Sequence, residues 1–502
     1  MPPSFFVESV GLSLHFLSNP DIINLAMQKG VEFMEEITSS NNRPVNPRRR
    51  KRSKWEIFKE AYLPLIIVAV AAILILVFII GSITRGVQNK KAKVLAAEIA
   101  ASQQAAMDEE ANSIIANAKA LANSYDYEAA VAVIDSFTGN LDAYPELNQL
   151  RQDYIVAASQ MEIWPDVNNI PNLSFHSLIV DAQRAFSFPG YESSNRQHYI
   201  TTTEFSNILQ KLYENNYILV GLDDIYTTEI AADGSTIYTA KTLRLPMGKK
   251  PIMLTQTNVN YYTYLSDTDS DKITDAGGAG FATKLVVGTD GSVDCEYMDA
   301  DGKIHVGAYD LIPILDDFID AHPDFSFNGA KAIISVTGYD GIFGYRTNPE
   351  AESYFGTAVY DQAVSDAASV ANALKESGYE LACYTYNNTG YGNLSAEELQ
   401  QDVDAWLTHV ASVIGQTDIL VYAQKSDITS ETTYSGEKFD ILQQAGFRFY
   451  LGFCQDKTPW TTIEGSYVRQ GRIMVTGYNL SNYPDWFAAM FAPATVLDSS
   501  IR

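Results

Sequence analysis

An α/β fold built on a parallel sheet or barrel is predicted for residues 170–502, behind a membrane span and a helical stalk. Three observations carry this expectation. From Ile170 onward, short apolar runs alternate with amphipathic stretches, the signature of strands separated by helices. Residues 94–161 instead read as almost continuous helix. Further upstream, 24 residues between Glu60 and Arg85 contain no charge at all.

The charge-free stretch comes first in the chain. At roughly 1.5 Å rise per residue it is long enough to cross a hydrocarbon core of about 30 Å. A core helix rarely stays apolar on every face for that length. A cleaved signal peptide would be shorter, nearer the start and followed by small residues. Residues 61–84 are therefore assigned as a single transmembrane helix, with Pro64 tolerated in its first turn. Arg43, Arg48, Arg49, Arg50, Lys51, Arg52 and Lys54 precede it, and Arg85, Lys90, Lys91 and Lys93 follow it. The denser upstream cluster places the N-terminal tail, residues 1–60, in the cytoplasm and the rest outside the cell membrane.

Charge is divided along the same line. Residues 1–93 hold 13 Lys and Arg against 7 Asp and Glu, whereas the remainder holds 22 against 54, for a net charge of −26. So acidic an exported part excludes nucleic acid and other polyanions as ligands. The three cysteines, Cys295, Cys383 and Cys454, are far apart and form no CxxC pair, which points to buried free thiols and a bacterial-type surface protein.

The stalk, residues 85–165, opens with an alanine-rich run whose apolar residues fall three and four apart. Two further amphipathic helices, at residues 125–137 and 145–161, resemble one tetratricopeptide-type hairpin. Either a rigid spacer or a module that binds a protein partner fits this pattern. Beyond it, strands are expected at 173–180, 217–222, 251–257, 330–337, 379–386, 418–424, 447–453 and 472–477. Helices are expected at 203–215, 310–321, 360–377, 395–414 and 438–445. The turn signals TDG and ADG within 281–306 mark a β-hairpin insertion.

In this order the segments resemble the polysaccharide deacetylase (NodB-homology, carbohydrate esterase 4-like) family. PNLSFHSLIVD is similar to the opening strand of that family, and TTTEFSNILQKLYENNYILVGLDDI to its next helix and strand. LPMGKKPIMLTQTNVNYY stands where the family has a strand ending Thr-Phe-Asp-Asp-Gly, and KESGYELACYTYNNTGY where it has Gly-(Tyr/His)-Glu-(Ile/Leu)-Ala-Ser-His-Ser-x-x-His. The resemblance implies an irregular (β/α) barrel over residues 170–502. It also implies a divalent metal such as zinc, held by one Asp and two His, with a second Asp activating the metal-bound water and a late His as acid.

This chain departs from the pattern at each of those positions. Thr257 stands at the base Asp, Asn258 at the ligand Asp, and Tyr384 and Asn388 at the two His. The family's Arg-x-Pro block falls on residues 421–428 without its Arg or Pro, and no histidine follows His409. No metal cofactor is expected from such a neutral set. Because the C-terminal strand ends of a parallel barrel form its binding face, Thr257, Asn258, Tyr261, Tyr384, Asn388, Tyr422 and Gln424 are expected to converge there, with His176 as a further candidate. Tyrosine faces stack on sugar rings and amides bond to hydroxyls.

These readings point to a membrane-anchored, extracytoplasmic, deacetylase-like protein without metal-dependent activity, binding cell-envelope polysaccharide or a partner protein. The alternatives are a cleft filled by its own side chains and an active carbohydrate deacetylase with an atypical site, for which Asp427 and His176 are the candidate groups. The acidic tract SDTDSDKITD, from Ser266 to Asp275, lacks the central Gly and final Glu of a calcium loop.

Overall fold

The structure is a computed structural model and describes residues 88–267 and 274–502. The transmembrane assignment at 61–84, the tail before it and most of the Ser266–Asp275 tract lie outside the described residues. Among those described, no helix is long and apolar enough to cross a membrane.

Three helices open the described chain: α1 Gln88–Asn123, α2 Tyr127–Asp135 and α3 Pro145–Ser159. Ala111, Ile114, Ala118 and Leu121 fall on one stripe of α1 and bury against Ala130, Val133 and Ile134 of α2 and Leu147 of α3. Asp126 caps α2, its side chain accepting from the Ala129 N–H at 3.1 Å.

A short strand pair, Glu162–Ile163 with Arg244–Leu245, leads into the barrel. The remaining elements alternate: β1 Asn172–Phe175, α4 Thr202–Glu214, β2 Tyr217–Leu219, β3 Lys250–Gln256, α5 Leu311–Ala321 and β4 Ile333–Val336. Then come α6 Thr357–Glu376, β5 Glu380–Cys383, α7 Ala396–His409, β6 Ile419–Val421, α8 Glu437–Gln444, β7 Phe449–Phe453 and β8 Tyr467–Met474. Seven strands close into a parallel barrel in the order β1, β3, β4, β5, β6, β7, β8, with β8 returning to β1 through Ile473 opposite Leu173. β2 lies outside this ring, paired to β3.

Alternation along the strands builds two cores. Met253, Ile333, Ala382, Ile419, Val421, Phe449, Leu451 and Val468 share the inner cluster. Their neighbours Leu254, Ile334, Leu381, Cys383, Leu420 and Tyr450 pack outward against the helices. Ser395 and Glu398 form a capping box that starts α7.

Two departures from the sequence expectation concern element boundaries. The last strand begins at Tyr467 rather than at Arg472, and a strand at Thr461–Glu464 pairs with it antiparallel. The helix expected at 395–414 breaks at Val410 into α7 and a short turn, Ala411–Ile414. The insertion between β3 and β4 is a three-stranded antiparallel sheet, Lys284–Val287, Val293–Met298 and Ile304–Gly307, one strand more than a hairpin. A separate hairpin, Tyr226–Ile230 with Thr236–Ala240, was not foreseen. All three cysteines are buried and unpaired.

Candidate functional site

The site grows from where the strands stop. Asn258 follows β3, Thr385 and Asn388 follow β5, and Gln424 and Lys425 follow β6, all with φ between 51° and 61°. Asn tolerates this left-handed region, but Thr does so at a cost of order 1–3 kcal/mol, met by the surrounding contacts. The result is a sharp turn at each strand end that keeps polar side chains at the barrel mouth.

Hydrogen bonds link those side chains into two groups, which meet along the chain at Thr257 and Asn258. The Thr257 hydroxyl donates to the Phe175 carbonyl at 3.1 Å or shares a hydrogen bond with His176 Nδ1 at 2.9 Å. The Tyr384 hydroxyl lies against the Thr257 hydroxyl and the Gln424 backbone N–H. Gln424 Nε2 donates to the Asn388 carbonyl at 2.7 Å. The Tyr262 hydroxyl donates to Asn258 Oδ1 at 3.0 Å and also meets Thr337 Oγ1 at 3.3 Å. His176, Thr257, Asn258, Tyr384, Asn388 and Gln424 are thus brought together.

Tyr261 and Tyr422 are not. Tyr261 has φ 47° and turns into the outer core, where its hydroxyl donates to the buried Asp310 at 2.7 Å. Burial lifts the Asp310 carboxyl to about 6. Tyr422 follows the strand alternation outward to Tyr450 and Tyr434, and only its carbonyl reaches the barrel interior. Asp427 is held by the Tyr434 hydroxyl at 2.8 Å and by Arg469 at 3.0 Å.

Sequence reasoning missed the residue beneath the mouth. Arg472, on β8, is fully buried, donating to Ser174 Oγ at 2.9 Å and to the Gly452 and Tyr422 carbonyls at 3.1 Å. No carboxylate among the described residues stands against it, and burial draws its pKa down to about 10. The same positive field acts on His176, whose imidazole is pushed down to about 4 by burial first, then by His198, Arg472 and Lys425. The ring is neutral at pH 7.

These residues do not fit a divalent metal. The donors are neutral, Thr257 and Asn258 already spend their oxygens on neighbours, and a guanidinium without a counter-charge lies behind them. Among the described residues no group of three His, Cys, Asp or Glu could hold such an ion.

Around this centre runs a row of tyrosines. Tyr191 stacks on Tyr264 at 5.6 Å between centroids, Tyr264 on Tyr262 at 5.8 Å, and Tyr262 meets Tyr339 at 5.8 Å. Tyr191, Tyr264 and Tyr339 are 39%, 40% and 55% exposed. The row continues into a cleft of about 420 Å³ bordered by the loops that follow β3, β4 and β5. The density of tyrosine in YYTY, residues 261–264, was the available signal, but which rings face the mouth depends on the left-handed turn at Tyr261.

No family model matches the chain, and no curated protein matches it. Among solved structures, it is similar to a Streptococcus pyogenes deacetylase, PplD, in complex with acetate, at 14% identity and a TM-score of 0.33, over 64% of this chain and 98% of that one.

Proposed function

We propose that this chain is a membrane-tethered glycan-binding protein, built on a polysaccharide-deacetylase-like barrel that has given up metal-dependent hydrolysis. The observation that carries the reading is the exposed row of Tyr191, Tyr264 and Tyr339 across the mouth of a barrel whose centre is lined by hydrogen-bonded hydroxyls and amides. Aromatic faces offer a sugar ring apolar contact at little entropic cost, and the amides and hydroxyls between them supply its hydrogen bonds. The charge-free segment at 61–84 tethers the barrel outside the cell membrane, within reach of cell-wall polysaccharide.

The test uses the full-length chain in nanodiscs, titrated calorimetrically with chitin oligosaccharides, chitosan oligosaccharides and soluble peptidoglycan fragments. Binding to at least one of them is expected, and Tyr339→Ala and Tyr264→Ala should each weaken it roughly tenfold, the value of one stacked ring. Stoichiometric bound zinc together with acetate release from an acetylated oligosaccharide would overturn the reading in favour of an active deacetylase.

A further inference from the structure

The cleft beside the mouth has a chemistry different from that of the centre. Its volume, about 420 Å³, suits a small-molecule or short-oligomer subsite. Two of its walls are open rings: Tyr339 is 55% exposed and Tyr354 70% exposed, with Phe355 beside it. Among the described residues lining it are three carboxylates, the buried Asp267, Asp340 and the exposed Glu350, and one cation, Arg346. Arg346 is already committed, lying 3.3 Å from Asp340 and donating to the Tyr261 carbonyl at 2.7 Å. Asp340 in turn accepts from the Thr263 hydroxyl at 2.8 Å. Glu350 is exposed at the start of the short helix Pro349–Phe355, where it accepts from Asn348 Nδ2 at 3.1 Å. Its charge reaches across the cleft to Tyr386, whose hydroxyl is pushed up first by burial and then by Glu350.

We infer that this cleft selects the amine-bearing units of a glycan, so that the protein prefers a de-N-acetylated hexosamine polymer to its acetylated form. The inference rests on the glycan reading above. An ammonium fits between the exposed aromatic faces and the exposed Glu350 carboxylate, where cation–π and ion-pair attraction act together. An acetamido group at the same place has no charge to offer, and an anionic sugar would be repelled.

The experiment titrates the full-length chain in nanodiscs with the glucosamine hexamer and the N-acetylglucosamine hexamer at low and high salt. The glucosamine hexamer is expected to bind roughly tenfold tighter at low salt, with the advantage shrinking as salt screens the carboxylates. Glu350→Gln, at an exposed position, should cut that advantage severalfold while leaving affinity for the acetylated hexamer in place. Equal or tighter binding of the acetylated hexamer by the wild-type chain overturns the inference and leaves the glycan reading standing. A preference that Glu350→Gln does not reduce also overturns it, because another surface would then be the selector. If neither hexamer nor a peptidoglycan fragment binds, both fall.

Discussion

His176 and Arg472 define the barrel mouth at the scale of single residues. A histidine depressed to about 4 in the folded chain has an ordinary pKa near 6.5 when unfolded. Between those two values the unfolded state binds more protons, so this residue makes stability rise with pH from about 4 to about 6.5 and level off above. Its ring resonances are therefore expected to titrate near pH 4 by NMR; a midpoint near 6.5 would contradict a buried ring in a positive field. Arg472→Met should move the midpoint upward but leave it below 6.5, since burial is the larger cause. The same charge should oppose a cation introduced at the centre. Restoring a ligand set with Asn258→Asp, Tyr384→His and Asn388→His should give weak zinc binding while Arg472 remains. Adding Arg472→Met should tighten it by roughly tenfold or more, read against a competing chelator. Equal affinity in the triple and quadruple variants would remove Arg472 from the account. Much of this centre was legible in the sequence, because residues at strand ends converge whatever their chemistry. Arg472 was not, because an arginine in a strand reads as solvent-facing until its partners Ser174, Gly452 and Tyr422 are in place.

At the scale of elements, strands with uninterrupted apolar runs were placed within a few residues of where they lie. β8 was displaced, and for one physical reason. Its sequence YVRQGRIM carries Arg469, Gln470 and Arg472, which break an apolar pattern yet are all buried themselves. Gln470 accepts from Asn172 Nδ2 at 2.7 Å, and Asn172 Oδ1 accepts from the Thr255 hydroxyl at 2.8 Å, a polar layer crossing β8, β1 and β3. Such a layer aligns strands only while every member is satisfied. Gln470→Leu would strand the Asn172 amide in the barrel interior and should cost about 1–3 kcal/mol in chemical denaturation. An unchanged midpoint would mean the layer does not fix the register of β8. The hairpin at Tyr226–Ile230 and Thr236–Ala240 was missed although ADG at 232–234 is the same turn signal read at 300–302. There the flanking strands are largely exposed, so no alternation of apolar residues marked them.

At the scale of the molecule, the stalk and the mouth occupy opposite ends of the barrel. The Ser124 carbonyl at the start of the α1–α2 turn accepts from the Asn328 N–H at 2.9 Å, and Asn328 lies on the loop leading into β4. Tyr125 and Met161 pack against the inner cluster, and Lys249, immediately before β3, sits 6.0 Å from the Tyr125 ring. All of these contacts are at the N-terminal ends of the strands, whereas His176, Tyr384 and the tyrosine row lie at the C-terminal ends. A helical unit docked there leaves the mouth, at the other end of the barrel, uncovered. The docking is small and partly polar, so single substitutions should loosen it without unfolding the barrel. Tyr125→Ala removes a half-buried ring worth about 1–2 kcal/mol, enough to raise the open fraction of the junction roughly tenfold. Limited proteolysis should then cleave between residues 159 and 172 correspondingly faster, with the barrel fragment stable and its affinity for oligosaccharide unchanged. Loss of oligosaccharide binding in that variant would show that the stalk supports the site itself.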